Sequence, residues 1–315
     1  MQIKKRYLPL LFCLFALSCE KTIDFSGEEQ IPMVVITSEP EPDTPLAVRA
    51  TYSRFFLSGA QFKPVTGATV SIVAGGATYN ATFDGTHYVA PYSVQQGDSL
   101  RLTLTIPQSD TVVTAATRVP FRPQASVIES SQGNLRFALA DRGGERNYYR
   151  ISLQLIDTII NGYDNTGAYV EPTSDSALRY DTIVDVSNLW FSCSDATLTS
   201  EATSIIMSID DDEMYNSLFF TDELFDGQTR NITIKTNNYE IEEYEKKGYN
   251  TGGSHYVVTI EALSREAYLY ELSLDKQSEE DFFLTEPVQI QCNISGGLGI
   301  FGAKASTKLL FDTDL

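Results

Sequence analysis

Histidine is nearly absent, with two residues in 315, and His87 and His255 form no HExxH or other paired metal spacing. A zinc centre is therefore not expected. A serine hydrolase lacks support too, because no Gly-x-Ser-x-Gly elbow is present and Gly252-Gly253-Ser254-His255 reads as a turn leading into a strand. Basic residues are scarce: 23 face 42 acidic ones, for a formal net charge of −19. That balance removes the attraction that nucleic acids and bare anionic lipid require, so neither is expected as a partner. Past the first residues there is no run of 18 apolar side chains, hence no expected membrane-spanning helix. No repeat of fixed period occurs.

What the chain does have is core material. Hydrophobic residues make up 42%, with seventeen tyrosines and seventeen phenylalanines, enough to rule out wholesale disorder. The length suits two domains. At the N-terminus Lys4, Lys5 and Arg6 precede an apolar stretch from Leu8 to Leu17, too short to span a bilayer, which ends in Ala16-Leu17-Ser18-Cys19. Residues 1–18 read as a signal peptide. The ending resembles a bacterial lipobox, which makes Cys19 the expected site of lipidation and residues 19–30 a polar tether. Cleavage removes three positive charges, so attachment has to rest on acyl chains rather than on charge.

From residue 31 the pattern alternates at period two, the mark of strands with one buried and one wet face. Leu100, Leu102, Leu104 and Ile106 point one way while Arg101, Thr103 and Thr105 point the other. Similar alternation marks Val34 with Ile36, Val48 to Tyr52, Ala68 to Ile72 and Tyr79 to Phe83, with turns at Gly75-Gly76, Asp84-Gly85 and Gly97-Asp98. The prolines of Val119-Pro120-Phe121-Arg122-Pro123 end that run. The expected architecture is mainly β, with two β-sandwich domains of immunoglobulin-like or regulatory-like type. The first covers residues 31–120 and the second 121–315. In the second, Leu135 to Leu139, Ile151 to Leu155 and Tyr256 to Ala262 alternate. A single short helix is predicted over about residues 264–277, capped by Ser264 and burying Tyr268, Leu269 and Leu272.

The start Cys19-Glu20-Lys21, the strand Met33-Val34-Val35-Ile36, the stretch from Pro64 to Val70, and the ending Glu286-Pro287-Val288-Gln289-Ile290 with Asn293 to Ala303 resemble the Bacteroidetes lipoproteins grouped as domain of unknown function 4249. The resemblance covers nearly the whole mature chain, and the glycine-rich ending is its most specific part. It implies an outer-membrane lipoprotein working beside a TonB-dependent transporter, and it carries no catalytic residues.

The glycines of that ending, Gly296, Gly297, Gly299 and Gly302, follow a strand without opening a helix and lack a Gly-Lys-Ser/Thr, so they read as a structural turn rather than a phosphate loop. Cys193 and Cys292 share strand parity with apolar neighbours and are expected to face inward. Two buried free thiols are the favoured reading, and a disulfide between them, which export to an oxidising compartment would allow, is the alternative. The run Asp210-Asp211-Asp212-Glu213 reads as a solvated acidic loop, with a hard cation such as calcium as the alternative. No cofactor is implied. Tyr163, Tyr169, Tyr180, Tyr239, Tyr244 and Tyr249, in two loops rich in small polar residues, are the candidate contact residues. The expected role is a non-enzymatic binding or accessory component of the transporter. A structural or assembly protein of the envelope and a surface hydrolase are the alternatives.

Overall fold

The computed structural model describes residues 31–312, apart from 56–58, 60, 108, 132, 171–174, 176, 200–205, 208–212, 237–250 and 279–288. The signal segment, Cys19, the tether, Asp210 to Asp212, Tyr239, Tyr244 and Tyr249 lie outside the described residues. So do Glu286, Pro287 and Val288.

The chain is mainly β, as the alternation implies. Seven strands come first: β1 (Val34–Ser38), β2 (Pro45–Tyr52), β3 (Thr69–Ala74), β4 (Ala77–Phe83), β5 (Tyr88–Ser93), β6 (Ser99–Thr105) and β7 (Val112–Arg118). Their inward residues, among them Ile36, Val48, Ile72, Leu102 and Val113, are fully buried in one core. Gly75 and Gly76 take the positive φ that a two-residue hairpin needs between β3 and β4.

The second group contains β8 (Gln124–Ser131), β9 (Asn134–Ala140), β10 (Tyr148–Tyr163), β11 (Tyr169–Val170), β12 (Arg179–Leu189), β13 (Phe191–Cys193), the one-turn helix α1 (Ala196–Thr199), β14 (Ile206–Met207), β15 (Glu213–Met214), β16 (Ser217–Thr221), β17 (Thr229–Thr236) and β18 (Thr251–Leu263). The longer helix α2 (Arg265–Ser278), β19 (Leu298–Phe301) and β20 (Lys304–Asp312) complete the chain. The sheet β13-β17-β9-β8 faces the sheet built on β10, β18 and β20. Their apposed side chains, such as Phe137 and Ile232 from one and Ile151, Val258 and Phe311 from the other, share a second core.

The first group departs from the expected sandwich. Its strands form one eight-stranded sheet, ordered β19-β1-β2-β5-β4-β3-β6-β7, whose eighth member comes from the far end of the chain. β19 pairs in parallel with β1, and just before it Ser295 exchanges two backbone hydrogen bonds with Thr114 of β7. The two edges of the sheet therefore nearly meet, as in a barrel. Asn293 stitches the seam: its Nδ2 donates to the carbonyls of Ala116 and Phe301, and its Oδ1 accepts from the Phe301 N–H. Closure removes exposed sheet edges, which otherwise invite strand addition. Ile294, Phe301 and Ala303 join the first core.

The glycine-rich ending sits on this seam. Gly296 and Gly299 have positive φ, and a Cβ at Gly297 would stand 2.6 Å from the Val34 carbonyl. Gly302 serves a different contact, because a Cβ there would lie 2.8 Å from that of Ala267 in the first turn of α2. The glycines thus let three backbone surfaces approach one another.

Helix α2 starts one residue inside the predicted limit. The Ser264 Oγ accepts from the Ala267 N–H at 3.2 Å, the N-cap role read from sequence. Tyr268, Leu269 and Leu272 pack with Phe219 and Leu263 in a third, small cluster.

Helix α1 depends on one carboxylate. Asp195 Oδ1 accepts from the Thr197 N–H and hydroxyl at 3.0 and 2.6 Å, and Arg230 Nη2 donates to both Asp195 oxygens. Burial raises the pKa of Asp195, but the bonds from Thr197 and Arg230 outweigh it and hold the carboxyl below its usual range. A depressed carboxylate pKa gives stability that is present above the unfolded value and is lost as pH falls through the folded one. Asp195→Asn is therefore expected to cost about 1–2 kcal/mol at neutral pH. The gap from wild type should narrow progressively as pH falls below about 4, as urea titrations at neutral and acid pH would show.

Cys193 and Cys292 are not bonded. Cys193 lies partly buried against the second core, where burial pushes its thiol up. Cys292 is exposed, contrary to the expectation from parity. The reason is local: residues 289–294 are not in a strand, so alternation does not govern which way they face.

Candidate functional site

Two surface regions and one carboxylate cluster have the chemistry of a site. The first region is an arm. β10 runs for 16 residues, and its second half pairs with β12 from Leu153–Leu189 out to Tyr163–Arg179. The reason for its length is a β-branched run, Ile156, Thr158, Ile159 and Ile160, that follows the core-facing Tyr149 to Leu155. β18 supports the arm on the other side up to Thr251, with a bulge between Thr158 and Ile159. The second core ends at Leu155 and Leu189, so among the described residues the outer half of the hairpin has no sheet packed over it.

The arm carries much exposed apolar surface. Val184 is 59% exposed and Tyr180 54%, and Leu178, Ile183 and Val186 are exposed as well. Three of the candidate tyrosines meet here. The rings of Tyr163 and Tyr169 stand 6.4 Å apart and nearly perpendicular, Arg179 stacks over Tyr163 at 4.9 Å, and Tyr180 lies opposite Gly162. Asp164 shapes the turn beyond them, with Oδ1 accepting from Thr166 N–H, Thr166 hydroxyl and Ala168 N–H, and the first two bonds lower its pKa most. The composition of the loop marked its tyrosines in the sequence. The exposed valines and isoleucines were hidden, since alternating β-branched residues look the same in a covered strand.

The second region is a cleft where the barrel meets the other sheets. It has a volume of about 400 Å³. One wall is the outer face of β6 and β7, with Ser99, Arg101, Ala116 and Arg118; the other is the start of β10 and the junction from β18 into α2. Arg118 pairs with Glu145 at 2.6 Å, and Arg142 stacks on Phe121 with its Cζ 3.6 Å from the ring centre. Arg146 pairs with Glu223, and the Thr117 hydroxyl donates to Glu266 at 3.3 Å. Sequence reasoning missed these arginines because they are scattered between positions 101 and 265.

The cluster joins Asp141, Asp222 and Asp226, whose oxygens lie within 4.8 Å of one another and which, among the described residues, have the grouping to hold a cation. Each already staples the loops 141–147 and 222–228 together. Asp141 accepts from the Tyr149 hydroxyl at 2.7 Å and the Gly227 N–H at 2.7 Å, Asp222 from the Asn147 N–H and side-chain amide, and Asp226 from the Gly144 N–H. Burial first, then the neighbouring Asp141 and Asp226, raise the pKa of Asp222. Burial and the bond to Asp141 push the Tyr149 phenol far up as well. Of the acidic run named from sequence only Glu213 is described, and it accepts from the Tyr215 hydroxyl. The two histidines lie in different groups, His87 in the turn between β4 and β5 and His255 on β18, where it faces Asp312 at 3.3 Å.

Among the described residues no helix is long and apolar enough to cross a membrane. Residues 20–309 match the model of a family described as Domain of unknown function (DUF4249). No curated protein matches the chain.

Proposed function

The chain belongs to the family described as Domain of unknown function (DUF4249), and from that premise we propose that it is a non-enzymatic binding or accessory lipoprotein. In this reading the Cys19 lipid holds it to the outer membrane, and it works beside a TonB-dependent transporter. The observation that carries the reading is the arm. A β-hairpin that no sheet covers among the described residues, with exposed Leu178, Tyr180, Ile183, Val184 and Val186, has the character of a protein contact surface, in which tyrosine supplies apolar area with few rotatable bonds. A single exposed apolar residue needs no explanation, but a row of them on one uncovered strand does. The signal segment and lipobox support the anchor, and the family resemblance supports the choice of partner.

The test is a mild-detergent pull-down of the full lipidated protein from its native membrane. Stoichiometric recovery of a barrel-type transporter is expected. Cys19→Ala should shift the protein to the soluble fraction. Val184→Lys and Val186→Lys, at exposed positions that leave the cores intact, should lower transporter recovery by at least about tenfold. Recovery of no partner, or of the same partner with both lysine variants, overturns the proposal.

A further inference from the structure

We infer that the cleft between the barrel and α2 binds a small organic polyanion, one with two or more oxyanion groups. The argument is electrostatic and begins from a reversal of sign. On a chain of net charge −19, this cleft is lined by four arginines, Arg101, Arg118, Arg146 and Arg265, against two carboxylates, Glu145 and Glu266. Both carboxylates are engaged in the wall, Glu145 by Arg118 and Glu266 by the Thr117 hydroxyl. Arg146 is answered by Glu223. The side chains of Arg101 and Arg265 form no ion pair or hydrogen bond among the described residues.

Neither unanswered arginine occupies a position that favours the empty protein. In the register of β6 and β7, Arg101 lies opposite Ala116 and Arg118 opposite Ser99. The two arginines are therefore diagonal neighbours on one outer face, with Cβ atoms about 7–8 Å apart. Like charges so placed repel, and the small side chains opposite them leave room between. Arg265 is the first residue of the 14-residue helix α2, where the helix dipole is positive and a cation is disfavoured. An anion in the cleft relieves both costs at once, and it gains the amino end of α2 as a further positive partner. The forked guanidinium suits carboxylate and phosphate oxygens equally. Phe121 and Tyr148 add apolar wall, and the volume of about 400 Å³ is that of a small-molecule site rather than of a single ion.

This site is separate from the arm and stands whether or not the proposed partner is correct. The experiment is isothermal titration of the full mature chain with two probes, citrate and pyrophosphate, at about 50 mM salt, where charge pairing is weakly screened. Saturable binding of at least one probe is expected, and it should weaken as salt is raised. Citrate alone would identify a carboxylate ligand, pyrophosphate alone a phosphate ligand, and both together the shared oxyanion chemistry; each result supports the site. Arg101→Gln and Arg265→Gln should each weaken binding by about tenfold or more. Both change exposed side chains that strain the empty cleft, so thermal unfolding should be unchanged or slightly raised, and a loss of binding cannot be put down to unfolding. Arg49→Gln, on β2 and outside the lining of the cleft, should leave binding unchanged. Failure of both probes to bind overturns the inference, and so does binding that survives both cleft substitutions or falls equally with Arg49→Gln.

Discussion

Gly299→Ala is expected to unfold the barrel seam and to cost about 4–5 kcal/mol or more, among the largest effects a single methyl group can have. Gly299 has φ of 102°, outside the range open to alanine without strain, and its added Cβ would lie 2.0 Å from the Ile36 carbonyl oxygen. The obstruction is backbone. It can be relieved only by moving β19 away from β1, which breaks the parallel pairing from Val35–Leu298 to Ser38–Phe301 and uncovers Phe301 and Ile36. Gly167 provides the control, since its φ is also positive, at 80°, but nothing lies within 4 Å of the added Cβ. Gly167→Ala should cost only the conformational term, about 1–2 kcal/mol. Denaturant titration of both variants checks this. Equal losses would show that φ alone, and not closure of the seam, sets the requirement for glycine.

The second large effect concerns the charges that bind the two groups of strands together. Arg150 on β10 donates from Nε to Glu261 of β18 at 2.6 Å and from Nη1 to Glu271 of α2 at 2.8 Å. Lys304, at the start of β20, lies 3.4 Å from Glu261 and 3.5 Å from Glu39, which follows β1. The side chain of Glu261 is only 7% exposed. Arg150→Met would leave two largely buried carboxylates with Lys304 as their remaining cation, an imbalance that costs about 3–5 kcal/mol. Replacing Glu261 and Glu271 by leucine in the same chain should recover most of that loss, because the charges carry their own desolvation cost.

The sign of the pH dependence follows from Glu271. Burial, and then the nearby Glu39, raise its pKa above the usual carboxylate range, while Arg150 pulls against them. For a carboxyl raised in this way, the stabilising contribution is complete below the unfolded pKa and is lost as pH rises through the folded value. Removing Arg150 raises Glu271 further, so the deficit of Arg150→Met should widen from about pH 5 to about pH 8 in denaturation experiments. A deficit that narrows over that interval would contradict the assignment.

The strands whose residues alternate cleanly were legible. Leu100, Leu102 and Leu104 are buried and Arg101 exposed, as their order implies, because the period of a strand is a local property. The same holds for α2, whose cap, first acidic residue and apolar stripe lie within a few turns of one another. Parity failed at Cys292, where it was applied to a segment that is not a strand. The tyrosines of the arm were named from loop composition, yet their grouping around Arg179 depends on the β10–β12 register. The arginines of the cleft gave no local signal at all.

By itself the sequence determined the class of the fold, the positions of most strands and turns, the capped helix and the expectation of a lipid anchor at Cys19. These rest on short-range rules of backbone geometry, side-chain period and targeting chemistry. The tertiary structure alone decided that the first sheet nearly closes, and that the closing strand comes from residues 298–301. Alternation records one buried face whether a sheet packs on another sheet or curls on itself, and the choice between them is made by contacts between residues far apart in the chain. For the same reason only the folded chain brings Arg101, Arg118 and Arg265 to one cleft.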